Sequence, residues 1–569
     1  MSTPVEIVWK SLPHPEQHPG FRSKGFHPGK VTSLPKGHVR QPGFQAFPVD
    51  VTWEQDCAIP MRDGIKIYAD VFRPTNGGKV PVIIPYSPYG KVDTGVTTYD
   101  NMGPYRMGIP FQRLSGYETF EGPNPAEWAE RGYAVVDVDA RGCGYSEGDV
   151  VFWGLQEAED IYDTITWASE QPWCSGSVVL AGNSWLSIAQ TNFASRFVHP
   201  ALKAIAPWEG LADFYSEQIC RGGIPRPLFS SLIQNSFAGL GRVESATDML
   251  SNHLLYDSYW ESKRVCTKNI RDLPVYFTAS YSTGLHSIGS FEGFNAASTD
   301  RKWLRVHASQ EWHDLYTLEA NNDLQRFFDF YAKGIQNGWE LDTPRVRLTL
   351  LGYENSPAKT VVERPEAQWP PASLRTEKFF LDAATKSLAA LNPKNAAAVS
   401  HEGHSLTDSS DFKLVFPQYT ELCGRPFIRK ISASGEPLES LNWSPMPQPQ
   451  PKVPNVNVAK HLGPQGMLRA SHRVSLQPRG SEAELPSYDH RTRKAITPGE
   501  IVELLIPIAP IGMVFEEGEG MLLKVSGHDM SYPEVEALAP SEPQDENIGQ
   551  HVIHSGGDYE SYLALPRIA

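Results

Sequence analysis

Basic charge is in short supply: Lys and Arg number 51 against 66 Asp and Glu, a formal net charge of −15 over 569 residues. Nucleic-acid affinity comes largely from Lys and Arg displacing counterions, so this balance excludes a phosphate-tracking surface and a nucleic-acid partner. Cysteine is scarce too. Cys57, Cys143, Cys174, Cys220, Cys266 and Cys423 stand singly, with no CxxC pair or Cys/His ligand spacing. That rules against a zinc ribbon or a disulfide lattice and leaves buried thiols. No stretch approaches the ~18 apolar residues that cross a bilayer. Residues 1–20 place Pro4, Pro13, Pro15 and Pro19 among charged side chains and lack the apolar centre of a secretory signal. The expectation is a soluble, cytoplasmic protein with no membrane association.

What is plentiful points to sheets and turns. The chain has 46 Gly, 47 Pro, 14 Trp, 22 Tyr and 25 Phe, a mixture suited to aromatic-rich strands joined by tight turns. Residues 1–50, rich in Pro, Gly, His and Lys without periodicity, read as an extended arm lying on the surface or loosely ordered. From Val51 strand and helix signals alternate. Ile65–Phe72, Val80–Ile84, Tyr133–Asp139, Ser177–Ala181, Leu202–Ala206, Leu273–Ala279 and Trp303–His307 read as strands. Leu155, Ala158, Ile161, Ile165 and Ala168 recur at helical spacing, and further helices are expected from Trp185 to Arg196 and from Leu315 to Lys333. Such alternation marks a parallel α/β sheet over residues 51–212 and 271–340. Between the two parts, residues 213–270 carry helical signals such as Leu228–Ala238 and read as an inserted cap. Beyond residue 341 short strands take over, at Val346–Leu351, Glu377–Leu381, Phe427–Ser432, Ile501–Ile508 and Met521–Ser526, giving an all-β domain over 341–569. The proline-spaced Ser444–Pro454 reads as an extended loop.

One segment carries chemistry. Leu180-Ala181-Gly182-Asn183-Ser184-Trp185-Leu186-Ser187 puts a serine at a sharp turn from strand to helix, where its hydroxyl projects from the carboxyl edge of the sheet. The helix start beyond it offers the Trp185 N–H to a developing oxyanion. The motif is not the strict G-x-S-x-G, since position 186 is Leu. This elbow resembles the G-x-S-Y-L-G elbow of the cocaine esterase-like and X-Pro dipeptidyl-peptidase (peptidase S15) group of α/β-hydrolases. Arg62–Ile67, Pro81–Lys91 with Ser87-Pro88-Tyr89-Gly90-Lys91, and Asp139–Gly148 agree with that group in order and spacing, as do Glu157–Asp160, Gln171-Pro172-Trp173, Gly512–Phe515 and Val525–His528. The resemblance covers roughly residues 50–565. It implies an α/β-hydrolase domain with a helical cap, a C-terminal jelly-roll domain, and cleavage of an ester or amide through an acyl-enzyme. By position it makes Ser184 the nucleophile and pairs the Tyr89 hydroxyl with the Trp185 N–H as the oxyanion hole.

The rest of the triad departs from the group's pattern. Thr283 falls in the slot of the acid and Glu311 in the slot of the histidine. Two repairs are open. In the preferred one His286 is the base and Glu311 orients it, since triads are defined by geometry and role rather than chain order. In the other, His313 is the base and its carboxylate partner is unidentified. Ser187 also replaces the motif's last glycine. His528 and His554 are expected to be structural, and Asp139 with Arg141 to form a turn-stabilising ion pair. The expected activity is a serine hydrolase of a small-molecule acyl substrate, with no metal or cofactor. Alternatives are an acyltransferase or cyclase using the same acyl-enzyme, or a non-catalytic binder with a degenerate triad. The cap aromatics Phe229, Phe237, Tyr256, Tyr259 and Trp260 suggest an apolar or aromatic ligand.

Overall fold

The structure is a computed structural model that describes residues 5–21, 25–75, 78–102, 105–416, 418, 420–424, 429–441, 460–476, 486–497, 499–528 and 548–568. A twelve-stranded sheet is its main element. In spatial order it runs Val361–Glu366, Val346–Leu350, Lys302–His307, Val275–Ser280, Leu202–Trp208, Cys174–Asn183, Val80–Ile84, Ala134–Asp139, Lys66–Pro74, Val51–Pro60 and Val31–Leu34, with the short Tyr86–Ser87 beside Ala134–Asp139. Neighbours from Val346–Leu350 to Ala134–Asp139 are parallel. Both flanks are antiparallel. Parallel neighbours need crossovers, which the helices supply.

Local sequence accounts for these elements. Ala134–Asp139 is buried at every position, as a β-branched run inside a two-faced sheet must be. The helix Leu155–Glu170 turns Ala158, Ile161, Ile165 and Ala168 inward. The helix Pro125–Glu130 starts where Asn124 Oδ1 accepts the Ala126 N–H at 3.0 Å and proline takes the first helical position.

The cap follows Leu202–Trp208 and holds the short helices Pro227–Asn235, Ala246–Asn252 and Ser258–Lys263. The second domain is built on an eight-stranded sheet whose central strands are Ser387–Ala389, Leu374–Asp382 and Tyr562–Ile568, with Ala397–Glu402 and Gln550–Ser555 as a separate pair. An α/β domain followed by a β domain is therefore the architecture. No helix among the described residues is long and apolar enough to cross a membrane.

Four expectations need correction. Val346–Leu350 is buried throughout and pairs with Lys302–His307, so it extends the large sheet instead of opening the β domain. Ile501–Ile508 alternates like a strand, but among the described residues its β-bridge pairing is limited to Ile508 with Gly466. The N-terminal arm is tied down: Val31–Leu34 is the edge strand of the large sheet, and Trp9–Ser11 pairs with Arg242–Glu244 of the cap. Arg141 pairs with Asp160 at 2.6 Å and Asp63 at 2.9 Å, not with Asp139. Asp139 instead accepts the Lys91 N–H at 2.6 Å, and burial pushes its carboxyl up to about 7. Ser444–Pro454 and the Cys423 side chain lie outside the described residues. Cys143, Cys174 and Cys220 are buried thiols, while Cys57 and Cys266 are half-buried.

Candidate active site

Ser184 closes the strand Cys174–Asn183 and precedes the helix Trp185–Arg196. Its backbone, φ 54° and ψ −119°, lies where non-glycine residues seldom go. Neighbouring chain holds it there, for the Ser184 N–H donates to the Glu209 carbonyl at 2.9 Å and the Trp208 carbonyl at 3.3 Å. The hydroxyl does not cap the helix, so it is left for the cavity that Ser184 lines. Gly182, at φ 131°, lets the bend close: a Cβ there would come 2.6 Å from Leu186 Cδ2.

Ser187 is accommodated because the residue opposite carries no side chain. It faces Gly210, where a Cβ would come 2.7 Å from the Ser187 Oγ.

Tyr89 lies in the same cavity, 5% exposed, with its ring edge-on to Phe120 at 5.1 Å. Its hydroxyl meets the Ser184 hydroxyl; burial, then Glu121, hold it protonated far above the usual phenol range. The Trp185 indole N–H donates to Glu157 Oε1 at 2.8 Å, which steadies the first turn of the helix that follows the serine.

Around the expected triad, His286 Nδ1 and Glu311 Oε2 are 2.7 Å apart, both side chains are buried, and both line the cavity with Ser184. Burial lowers His286 to about 4, with Glu209 pulling the other way, so the ring is neutral near pH 7. Thr283 does not face a histidine; its Oγ1 accepts from Ser280 Oγ at 3.0 Å, and Ser280 Oγ also reaches Glu209 Oε2 at 3.0 Å. His313 is half-buried on the short helix Glu311–Leu315, near Asp314, and is not among the residues lining the cavity.

Two carboxyls that sequence reasoning passed over complete the surroundings. Glu209 is fully buried at φ 56°, directly after Leu202–Trp208, with Oε1 2.7 Å from His307 Nε2. Its signal was available, since an acid at the carboxyl end of a parallel strand sits where ligands bind in open α/β sheets. Glu121 abuts the Ser184 hydroxyl from a loop with no motif. Burial, then the facing Glu311, push it well above the carboxylate range; burial, then Glu209, do the same to Glu311.

Of the cap aromatics, Phe229 and Tyr256 line the cavity. Phe237 packs against Tyr89 and Trp185, and Tyr259 against Trp260, so those three serve the core. His528 and His554 line the cleft from the β-domain side. Among the described residues no cluster of three or more His, Cys, Asp or Glu is arranged to hold a metal ion.

Comparison with known proteins gives two family matches. Residues 63–237 match the X-Pro dipeptidyl-peptidase (S15 family) model, and residues 337–564 match the X-Pro dipeptidyl-peptidase C-terminal non-catalytic domain. The cocaine esterase of Rhodococcus sp. (strain MB1 Bresler) is 34% identical over 190 residues, 33% of this chain and 29% of that protein, so the match spans under a third of the relative's length. A CocE/NonD family hydrolase from Staphylococcus aureus superimposes with a TM-score of 0.82 at 28% identity, covering 98% of both chains. An aminopeptidase from the marine sediment archaeon Thaumarchaeota archaeon shares the fold, with a TM-score of 0.66 at 16% identity over 96% of this chain and 99% of that one.

Proposed function

The chain belongs to the CocE/NonD, or peptidase S15, family of serine hydrolases acting on ester or amide bonds, and from that premise we propose that it cleaves an ester or amide of a small molecule through an acyl-enzyme on Ser184. The observation that carries this reading is the buried His286–Glu311 pair, 2.7 Å apart, in the cavity that the strained Ser184 also lines.

With the proton on Nδ1 shared with Glu311, the Nε2 of neutral His286 takes the hydroxyl proton as Ser184 Oγ attacks the carbonyl carbon. The carbonyl π electrons move onto oxygen, where the Tyr89 hydroxyl and the Trp185 N–H donate to the oxyanion. His286 then returns the proton to the leaving alcohol or amine. Water repeats the sequence on the acyl-enzyme and frees the acid. Glu311 stabilises the transient imidazolium and fixes the ring.

The cavity lies between the α/β domain with its cap and the β domain, for which a jelly-roll arrangement is part of the same proposal. A small-molecule acyl substrate, no nucleic-acid or membrane partner, and a cytoplasmic location complete it; the net charge of −15 supports the second point.

The test is labelling of the folded protein by a fluorophosphonate probe. Labelling that disappears in Ser184→Ala and in His286→Ala, and survives in His313→Ala, is the expected result. No Ser184-dependent labelling overturns the reading in favour of a binder. Loss in His313→Ala with retention in His286→Ala reverses the choice of base.

A further inference from the structure

Beyond the triad and the two expected oxyanion donors, one buried group at the reacting centre is unused. Glu121 sits at φ 68°, a left-handed conformation for a side-chain-bearing residue. The chain holds it there from both sides: its carbonyl accepts the Asn183 N–H at 3.1 Å, and its own N–H donates to the Tyr99 hydroxyl at 3.2 Å. It is thus clamped to the turn that carries the nucleophile.

The two oxygens of its carboxyl differ. Oε1 accepts the Trp312 indole N–H at 2.9 Å. Oε2 is buried and makes no regular hydrogen bond among the described residues, while the carboxyl lines the cavity and abuts the Ser184 hydroxyl. An ionised carboxylate there would oppose the negative charge that develops during acyl transfer. A neutral acid is a hydrogen-bond donor at the same place.

Building on the serine-hydrolase reading, we propose that Glu121 is a further catalytic residue, a neutral carboxylic acid whose Oε2–H donates a hydrogen bond to the oxyanion formed at Ser184, beside the Tyr89 hydroxyl. A tyrosine hydroxyl paired with a protonated carboxylic acid in an apolar site is an effective way to hold an oxyanion.

Partition of charge within the site supplies the proton. Two carboxyls in one buried site do not both ionise. Against the raising effect of Glu209, Glu311 has His286 Nδ1–H at 2.7 Å, the Asn183 amide and nearby His307 to stabilise a negative charge. Glu121 has the Trp312 N–H and the Ser184 hydroxyl, carries no cation beside it among the described residues, and faces Glu311 itself. The single charge therefore resides on Glu311, where the imidazolium needs it, and the proton stays on Glu121. In the reaction Glu121 shares that proton without giving it up; the serine proton alone travels, to His286 Nε2.

Fluorophosphonate labelling tests this without a known substrate, because the phosphoryl oxygen occupies the oxyanion site. Glu121→Leu is expected to slow the second-order labelling rate about 100-fold, and Glu121→Gln, which restores an uncharged donor of nearly the same shape, to recover at least tenfold of that loss. Leu labelling at the wild-type rate, or Gln as slow as Leu, overturns the proposal. Thermal melting of each variant separates misfolding from chemistry.

Should the Leu variant fail to fold, the alkaline side of the pH profile decides. Wild-type labelling should fall as Glu121 loses its proton, and Glu121→Gln should lack that fall; the same fall in both overturns the proposal. The titratable groups facing Glu121 are Glu311, Tyr89, Tyr99, Tyr316 and, through Glu311, His286, Glu209 and His307. The tyrosines are held far above their ordinary range by burial, so they do not supply the fall. A wild-type protein that does not label at all defeats the serine-hydrolase reading and this inference with it; normal wild-type labelling with indifferent Glu121 variants defeats this inference alone.

Discussion

Glu311 starts a short helix in the loop after Lys302–His307, so the carboxylate beside His286 comes from the strand that neighbours the histidine's own. Replacing it with Gln keeps a hydrogen-bonding group and removes the charge that offsets the imidazolium. A fall in labelling rate of about 10³- to 10⁴-fold is expected, by analogy with triads deprived of their acid charge. A loss under tenfold would pass the role to Glu209. The histidine makes its own prediction. Because burial lowers it to about 4, His286 stays neutral well below the ordinary value near 6.5, and labelling should persist as pH falls through 6.5 toward 4. A rate that halves at 6.5 or above would mean that water reaches the ring. Ser184, Tyr89 and Glu311 could be singled out from sequence because they fall on positions of the family that the chain resembles, and His286 because it lies three residues beyond the slot of the family's acid. Glu121 could not be weighed in the same way, because its bearing on the site comes from tertiary approach across a loop, whereas Glu209 stands at the carboxyl end of a parallel strand and was open to the same reasoning.

At the scale of elements, the contact between Ser187 and Gly210 is open to a direct experiment. Gly210→Ala would set a Cβ 2.7 Å from Ser187 Oγ and 3.2 Å from Ile188 Cγ1, forcing the nucleophile's helix away from the loop after Leu202–Trp208. Overpacking of this kind costs about 1–3 kcal/mol, so the melting temperature and the labelling rate should both fall. Adding Ser187→Gly removes the nearer obstacle and should restore most of the loss; an unrescued double variant would refute the compensation. The same contact explains the limit of motif reading, for a sequence motif records that position 187 is not glycine but not that the residue opposite is one. Strand reading met a similar limit. Val80–Ile84 and Ala134–Asp139 are evident because a continuous apolar run buried on both faces has few other uses. The run Val346–Leu350 is as plain, yet its sheet is decided by pairing with Lys302–His307. Ile501–Ile508 alternates correctly but lines the cleft, where its apolar side chains have a use that requires no ladder.

The molecule as a whole encloses many ionisable groups, and their shifts set how its stability should respond to pH. Burial raises Asp139 and Glu157 to about 7 and Glu217 to about 8, each above the value the unfolded chain would show. In the window between the unfolded and folded values the native protein binds these protons and the unfolded chain does not. Stability from this source is present at the acid end and lost as pH rises through 7 to 8. Buried histidines act in the opposite sense. His286, His461 and His490 are lowered to about 4, so the unfolded chain binds protons there from 6.5 downward and stability is lost on acidification. Below 6.5 the two sets oppose each other, whereas above it only the carboxyls titrate. Melting temperatures measured without ligand should therefore change little between pH 5 and 6.5 and fall steadily from 6.5 to 8.5. Glu217→Gln, which keeps the shape and removes the most raised of the three, should flatten the alkaline end of that fall. A melting temperature that stays flat from pH 6.5 to 8.5 would show that Asp139, Glu157 and Glu217 are already ionised in the native protein, and the neutral carboxyls of its interior would lose their physical basis.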